Sequence, residues 1–324
     1  MFKLKPIKKA LKPKIIQLAL RFKHYNMADA IIIFSEARGG STWLMELLKH
    51  IPGVIINWEP LHVNRGVVPK AYKLGWRPCI LPDSTDTKHV TLFSKIFRFS
   101  VFNTWTTRYV FWKDLKHSKH VLTKFVRANQ SLPWVVATYP ELKHKPVFLL
   151  RHPIATCLSR LKTFEGVDAQ NITTLTPAKK FDIPDCINNM RFIEHQHYID
   201  SLQTQLEVEI AVWCVNNVDL ITHKNQDTWY TLYYEDLVMH PEDSFQALLQ
   251  GINIHLPQDI LSRIDYRKPS STNFYGNLKA LPKHQLESFL NKLEADQLRR
   301  IQGVFDYFDL KVYSAFSAYP IKKT

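Results

Sequence analysis

Five consecutive residues, Arg38-Gly39-Gly40-Ser41-Thr42, hold the most informative chemistry in the chain. They follow an apolar run, "IIIF" from Ile31, and lead directly into the amphipathic segment "STWLMELL". Gly39-Gly40 is the single adjacent pair among nine glycines. Glycine at a strand-to-helix turn lets backbone approach an anion closely. Successive N–H groups there, backed by a helix N-terminus, hold a phosphate by hydrogen bonds and the helix dipole. Ser41 and Thr42 can cap the helix, donate to phosphate oxygens, or do both. A capped turn that uses glycine for geometry alone is the plainer alternative.

The triphosphate loop GxxxxGK[ST] places lysine just before the hydroxyl residue. Here Gly40 stands in that place, and the cation has moved to Arg38. No convincing magnesium-binding Asp follows a later strand. A nucleotide kinase or NTPase with a degenerate loop is therefore the lesser reading, kept as an alternative.

Two further groups of residues suit the same ligand edge. In "VFLLRHPIATCLSRL", Arg151 ends an apolar run with a guanidinium fork suited to bidentate phosphate contact. Pro153 fits the first turn of the following helix, where its missing N–H costs nothing. Ser159 sits six residues beyond Pro153, so helix geometry alone does not bring it to Arg151. A salt-bridged Arg151 and a surface Ser159 are the alternative. In "NWEPLH", Glu59 and His62 follow another apolar run and are the candidates for a general base. A surface carboxylate, or a salt bridge from Glu59 to Arg38, is the alternative there.

The elements that must position these residues alternate strand and helix. Strands are expected at Ala30–Ser35, Val54–Asn57, Val121–Phe125, Pro146–Arg151 and Thr228–Tyr234. Helices are expected at Ser41–His50, around Asn129–Tyr139, from Pro153 to about Phe164, across Asp185–Lys224, from Pro241, and from Pro282 to Phe308. The strands are short apolar runs without alternation, as when both faces of a parallel sheet are covered. This order predicts a doubly wound α/β fold, with ligands beyond the carboxyl ends of the strands. Ser35–Ser41, Asn57–His62 and Arg151–Pro153 should share that edge.

"ARGGSTWLMELL" resembles the 5′-phosphosulfate loop of sulfotransferases that use 3′-phosphoadenosine 5′-phosphosulfate (PAPS). "VFLLRHPIATCLSRL" is similar to the family's 3′-phosphate loop, with Arg151 at the strand end and Ser159 on the helix. "NWEPLH" resembles a stretch of the carbohydrate branch, and "YYEDLVMHPEDSFQALL" a late family segment. The four pieces stand in family order between Ile31 and Leu249. The resemblance implies the P-loop-like nucleotide-binding sulfotransferase fold, a parallel sheet flanked by helices. It implies PAPS as co-substrate, no metal, and sulfation of a hydroxyl on a carbohydrate or glycolipid. Arg38, Gly39, Gly40, Ser41 and Thr42 would then hold the phosphosulfate, with Arg151 and Ser159 on the 3′-phosphate. Lysine is common at the position of Arg38. Arginine keeps the charge but does not readily give up a proton, so its implied role is electrostatic. Glu59 matches the glutamate of the carbohydrate branch and is the first-choice base, with His62 second. "LTKFVR" offers Lys124 to the phosphosulfate, a solvated charge being the alternative. "YRKPSSTNFYGN" offers Arg267 and Lys268 as a loop over the nucleotide, although the glycine-rich form of that loop is absent. His152 is read as orienting backbone and Trp43 as core.

Composition sets the outer bounds. The chain has 324 residues, 45% hydrophobic, enough for a sizeable core. Its formal net charge of +14 favours anionic partners. A non-catalytic polyanion-binding protein is thus a further alternative, although no nucleic-acid module is recognisable. Cys79, Cys157, Cys186 and Cys214 form no CxxC pair, which speaks against zinc or a disulfide framework and for a reducing compartment. Eight basic residues lie between Lys3 and Lys23, ahead of the first acid, Asp29. Residues 1–27 are expected to be a basic amphipathic arm, with one domain over 28–324. The arm is either solvated or a helix on anionic lipid, its length limited by Pro6 and Pro13. A cytoplasmic protein is the expectation, peripheral on a membrane only in the second of these cases. The segment Val63–Lys119, rich in aromatic and basic residues, is expected to build much of the acceptor site, with ordinary core and surface as the alternative.

Overall fold

A computed structural model describes residues 13–164, 176–272 and 282–321. Part of the arm (1–12), including Pro6, and the later part of the "YRKPSSTNFYGN" loop lie outside the described residues.

Five parallel strands form one sheet: β1 Ile31–Ser35, β2 Val54–Trp58, β3 His120–Val126, β4 Val147–Leu150 and β5 Tyr230–Tyr233. Their order is β2-β3-β1-β4-β5. Every residue of β1, β2 and β4 is buried, which explains why these strands lack polar alternation. β1 is central, with Ile33 beside Lys124 of β3 and Val147 of β4. The chain leaves β1 towards β2 and β3, then crosses back to β4 and β5. The switch point lies between β1 and β4, where open sheets of this kind place their ligand crevice.

The elements that matter to the site are α1 Ser41–Leu48, α2 Thr87–Phe97, α3 Pro153–Phe164, α4 Gln205–Ile221, α5 Tyr234–Met239, α6 Pro282–Glu287 and α7 Ala295–Tyr307. On one side of the sheet, Phe93 of α2 meets Phe125 at 5.6 Å and Trp134 at 4.9 Å between ring centroids. Phe34 of β1 meets the same Phe125 at 5.0 Å. Each such ring, fully buried, stabilises the fold by roughly 1.5–3 kcal/mol. All four cysteines are free thiols.

Two expected helices are broken. Asp185–Lys224 contains three helical pieces, Met190–Glu194, Gln196–Asp200 and α4. The last restarts because Thr204 caps it: its hydroxyl accepts from Glu207 N–H, and Glu207 answers back to the Thr204 N–H, both at 3.3 Å. This capping box satisfies two donors that continuous helix would have satisfied otherwise. The expected Pro282–Phe308 helix is likewise α6 and α7, and Glu294 with Gln297 forms the second capping box. β5 is shorter than expected at both ends, because Thr228 closes a 3-10 turn from Gln226 and Tyr234 already begins α5. Thr204→Ala should lower unfolding stability by about 1 kcal/mol, read as a lower urea midpoint at unchanged slope.

Candidate active site

The loop after β1 is shaped by close packing. Arg38 and Gly40 both take positive φ, 69° and 92°. A Cβ on Gly40 would lie 2.4 Å from the ring of Tyr234, and one on Gly39 would lie 2.5 Å from Ser35 Oγ. Gly40 is itself the N-cap of α1, and no side chain caps the helix there. Ser41 and Thr42 are therefore not its caps. The first N–H groups of α1 remain available to an anion, with the helix dipole behind them. Arg38, Gly40, Ser41 and Thr42 line a cavity of about 1680 Å³.

The second motif meets the first at Arg38. Arg38 Nε donates to Ser159 Oγ at 3.0 Å, across 121 residues of sequence. Arg151 Nη1 donates to the Arg38 carbonyl at 2.8 Å, and its guanidinium lies 4.7 Å from the Tyr234 ring centroid. Arg151 Nε is buried without a partner. His152, next in sequence, turns away into the protein. Its Nε2 is 3.1 Å from the Ser314 carbonyl, its ring stacks on Phe289, and its N–H donates to Glu235 at 2.8 Å. Burial pushes that imidazole down to about 3, so it is neutral and structural.

Glu59 leaves β2 at φ 40°, with its N–H on the Lys124 carbonyl at 3.1 Å. Its ion-pair partner is Lys124, at 2.9 Å, rather than Arg38. The Lys124 ammonium also reaches Thr42 Oγ1 at 3.3 Å and lies 3.5 Å from the Trp58 ring centroid. Burial lowers the pKa of Lys124, and the charge of Glu59 opposes that shift. His62 sits between the rings of Trp76 and Trp105, 4.8 and 4.9 Å away. Burial lowers its pKa, with Glu59 pulling the other way. It is thus kept in the neutral form that can accept a proton.

Arg267 and Lys268 reach the cavity rim. Their segment is anchored where Ser271 N–H donates to Glu46 at 3.1 Å and Ser271 Oγ meets Tyr109 OH at 3.2 Å. From the region 63–119 come Arg65, Trp76, Trp105 and Arg108, all lining the same cavity. Trp105 Nε1 donates to the Glu59 carbonyl at 3.3 Å, which sets this aromatic wall beside the carboxylate.

A family model described as "Sulfotransferase family" matches residues 30–258, more than half of the chain, including both loops, Glu59 and Lys124. The chain belongs to the sulfotransferase family. No curated protein matches it by sequence. Among solved structures it is similar to mouse sulfotransferase SULT7A1 complexed with PAP, at 11% identity and TM-score 0.45, covering 93% of this chain and 91% of that one. A sulfotransferase domain from the curacin biosynthetic pathway is similar at 14% identity and TM-score 0.43, covering 86% and 97%. Sulfotransferase STF9 from Mycobacterium avium follows at 10% identity and TM-score 0.41, covering 94% and 80%.

Several residues of this sulfotransferase-family site gave no signal in the sequence. Tyr234 packs against Gly40 from β5's end, and Trp43, expected in the core, is half-buried, faces the cavity and meets Tyr234 edge-on at 5.7 Å. Beneath the loop, Glu36 is buried between Arg77 at 3.2 Å and Arg160 at 3.0 Å. Arg160 bonds Glu209 as well. Burial opposes ionisation of Glu36, but Arg77, Arg160 and Arg127 together hold its carboxyl below the ordinary carboxylate range. A carboxyl lowered in this way stabilises the fold above the ordinary range, and that contribution is lost as pH falls through and below it. Glu36→Gln, which leaves the buried Arg77 without its counter-charge and Arg160 with Glu209 alone, should cost about 3–5 kcal/mol at neutral pH. Urea titrations at neutral and acid pH should also show a flatter acid limb for the variant than for the parent.

Proposed function

We propose that this protein transfers the sulfuryl group of PAPS to a hydroxyl of a carbohydrate or glycolipid acceptor, releasing adenosine 3′,5′-bisphosphate. The observation that carries this reading is the meeting of the two loops on Arg38, through Ser159 Oγ and Arg151 Nη1. A donor with phosphate at both ends of one nucleoside needs two such loops in one cavity.

The residues present fit that donor. The uncapped start of α1 suits the 5′-phosphosulfate, while the unpartnered Arg151 Nε and the Ser159 hydroxyl suit the 3′-phosphate. Arg38 and Lys124 supply positive charge where the leaving phosphate gains negative charge. In the transfer, the acceptor oxygen bonds to sulfur as the sulfur–oxygen bond to the 5′-phosphate breaks. The electron pair of that bond stays on the phosphate, and the acceptor's proton passes to Glu59. His62 is the second choice for that proton. Lys124 lies between Glu59 and Thr42, so one ammonium touches both the base and the phosphate loop. Arg267 and Lys268 would cover the nucleotide. Trp76, with Arg127 over its ring, and Trp105, with Arg65 and Arg108 over its ring, line the cavity with Glu59, and this aromatic and cationic wall would meet the acceptor.

Calorimetric titration with adenosine 3′,5′-bisphosphate, with and without magnesium and beside AMP and ATP, tests the donor. Metal-independent binding that needs the 3′-phosphate is expected, and Arg151→Ala should erase the preference for that phosphate. Preference for Mg·ATP would overturn the proposal. In a transfer assay, Arg38→Ala should lower kcat by about 10²–10³-fold at unchanged Tm. Glu59→Gln should lower kcat by about 10²–10⁴-fold while nucleotide affinity is retained.

A further inference from the structure

Away from the cavity, two chain segments far apart in sequence expose large apolar side chains over one shared hydrophobic cluster. The first is the helix at residues 13–20 and the turn after it. Its Ile16 and Leu20 are buried with Tyr25, Ile55, Val110, Leu115 and Val121. Ile15, Leu18 and Phe22 form a second stripe at i, i+3 and i+7, and they are 50%, 55% and 77% exposed. Lys14 and Arg21, seven residues apart, run alongside this outward stripe. The second segment is the short helix Trp112–Lys116, whose Leu115 enters the same cluster while Trp112 stays 60% exposed. Tyr25 OH and Ser118 Oγ, 2.8 Å apart, tie the two segments together.

The charge around these residues has one sign. Lys14, Arg21 and Lys23 stand on the first segment and Lys113, Lys116 and Lys119 on the second. The acids of residues 13–29 and 111–120 are Asp29 and Asp114, and each is already paired, with Lys143 at 2.7 Å and Lys49 at 2.8 Å. Aliphatic and aromatic side chains with a lysine and arginine rim are what an anionic bilayer surface binds: the apolar groups enter the interface and the cations meet the headgroups. A second copy of the chain fits less well, because a self-complementary contact would set these basic rims against each other. Among the described residues no helix is long and apolar enough to cross a membrane.

We infer that this face docks the protein peripherally on an anionic lipid bilayer, with Leu18, Phe22 and Trp112 inserted at the headgroup level. The inference does not depend on the reaction assigned to the cavity. Its test is sedimentation of the full chain with phosphatidylcholine vesicles that contain or lack phosphatidylserine. Binding should require phosphatidylserine and weaken as salt is raised. The double variant L18Q/F22Q alters exposed positions only, and it should reduce the vesicle-bound fraction by about tenfold or more. W112Q should weaken binding in the same direction, and both variants should keep the parent's Tm. Failure to sediment with phosphatidylserine vesicles would overturn the inference, as would equal binding by L18Q/F22Q. A dimer in light scattering that L18Q/F22Q dissociates would give the face to a second copy instead.

Discussion

The buried carboxylate of Glu36 is the constraint from which the rest of the site follows. It lies in the turn that directly follows the central strand, and its guanidinium partners come from Arg77 and from Arg160 on α3. Arg160 in turn bonds Glu209 on α4. One charge cluster therefore fixes the loop to two helices and to the segment before α2. An ion pair at this depth gains little net free energy over a well-packed apolar substitute. Its value lies in positioning, because the four groups pair only where the loop, α3, α4 and the segment of Arg77 come together. Arg38 can then meet Ser159 and Arg151 without further adjustment.

A second pairing, Glu59 with Lys124, joins the opposite side of the site in the same way. Trp58 and Lys124 are register partners on β2 and β3, so the carboxylate one residue beyond Trp58 falls naturally beside the ammonium. Burial disfavours the charge on Lys124, and the Glu59 carboxylate offsets part of that, with the Thr42 hydroxyl and the Trp58 ring also in contact with the ammonium. The strand edge thus presents cations on a rigid scaffold, with little side-chain freedom left to lose when an anion arrives.

What could be read from the sequence was local. The apolar runs, the glycine pair, and Arg151 followed by Pro153 each encode a strand end and a helix start within a dozen residues, and all stand at the sheet edge where the pattern put them. The capping box before α4 was equally readable as Thr204 followed three residues later by Glu207, yet apolar periodicity on both sides concealed it. What escaped was set by register and by packing across the sheet. No spacing rule announces that Lys124 lies beside Trp58, that Tyr234 closes over Gly40, or that Trp76 and Trp105 flank His62. The salt bridge from Glu59 to Arg38, the plainer alternative for that carboxylate, is not made for this reason: Arg38 is nearer in sequence, but the β2–β3 register puts Lys124 there instead.

The strand order also bears on how the chain is made. β1 precedes every other strand of the sheet, both strands that flank it, β3 and β4, lie far downstream of it, and the loop's supports at Arg160 and Glu209 come later still. During synthesis "IIIF" must wait as an unpaired apolar strand with two open edges, a template for pairing with another chain. Such non-local parallel pairing is slow to form and leaves the growing polypeptide exposed to aggregation. The central position that lets β1 organise the cavity thus leaves it without either neighbour until β3 and β4 have been made.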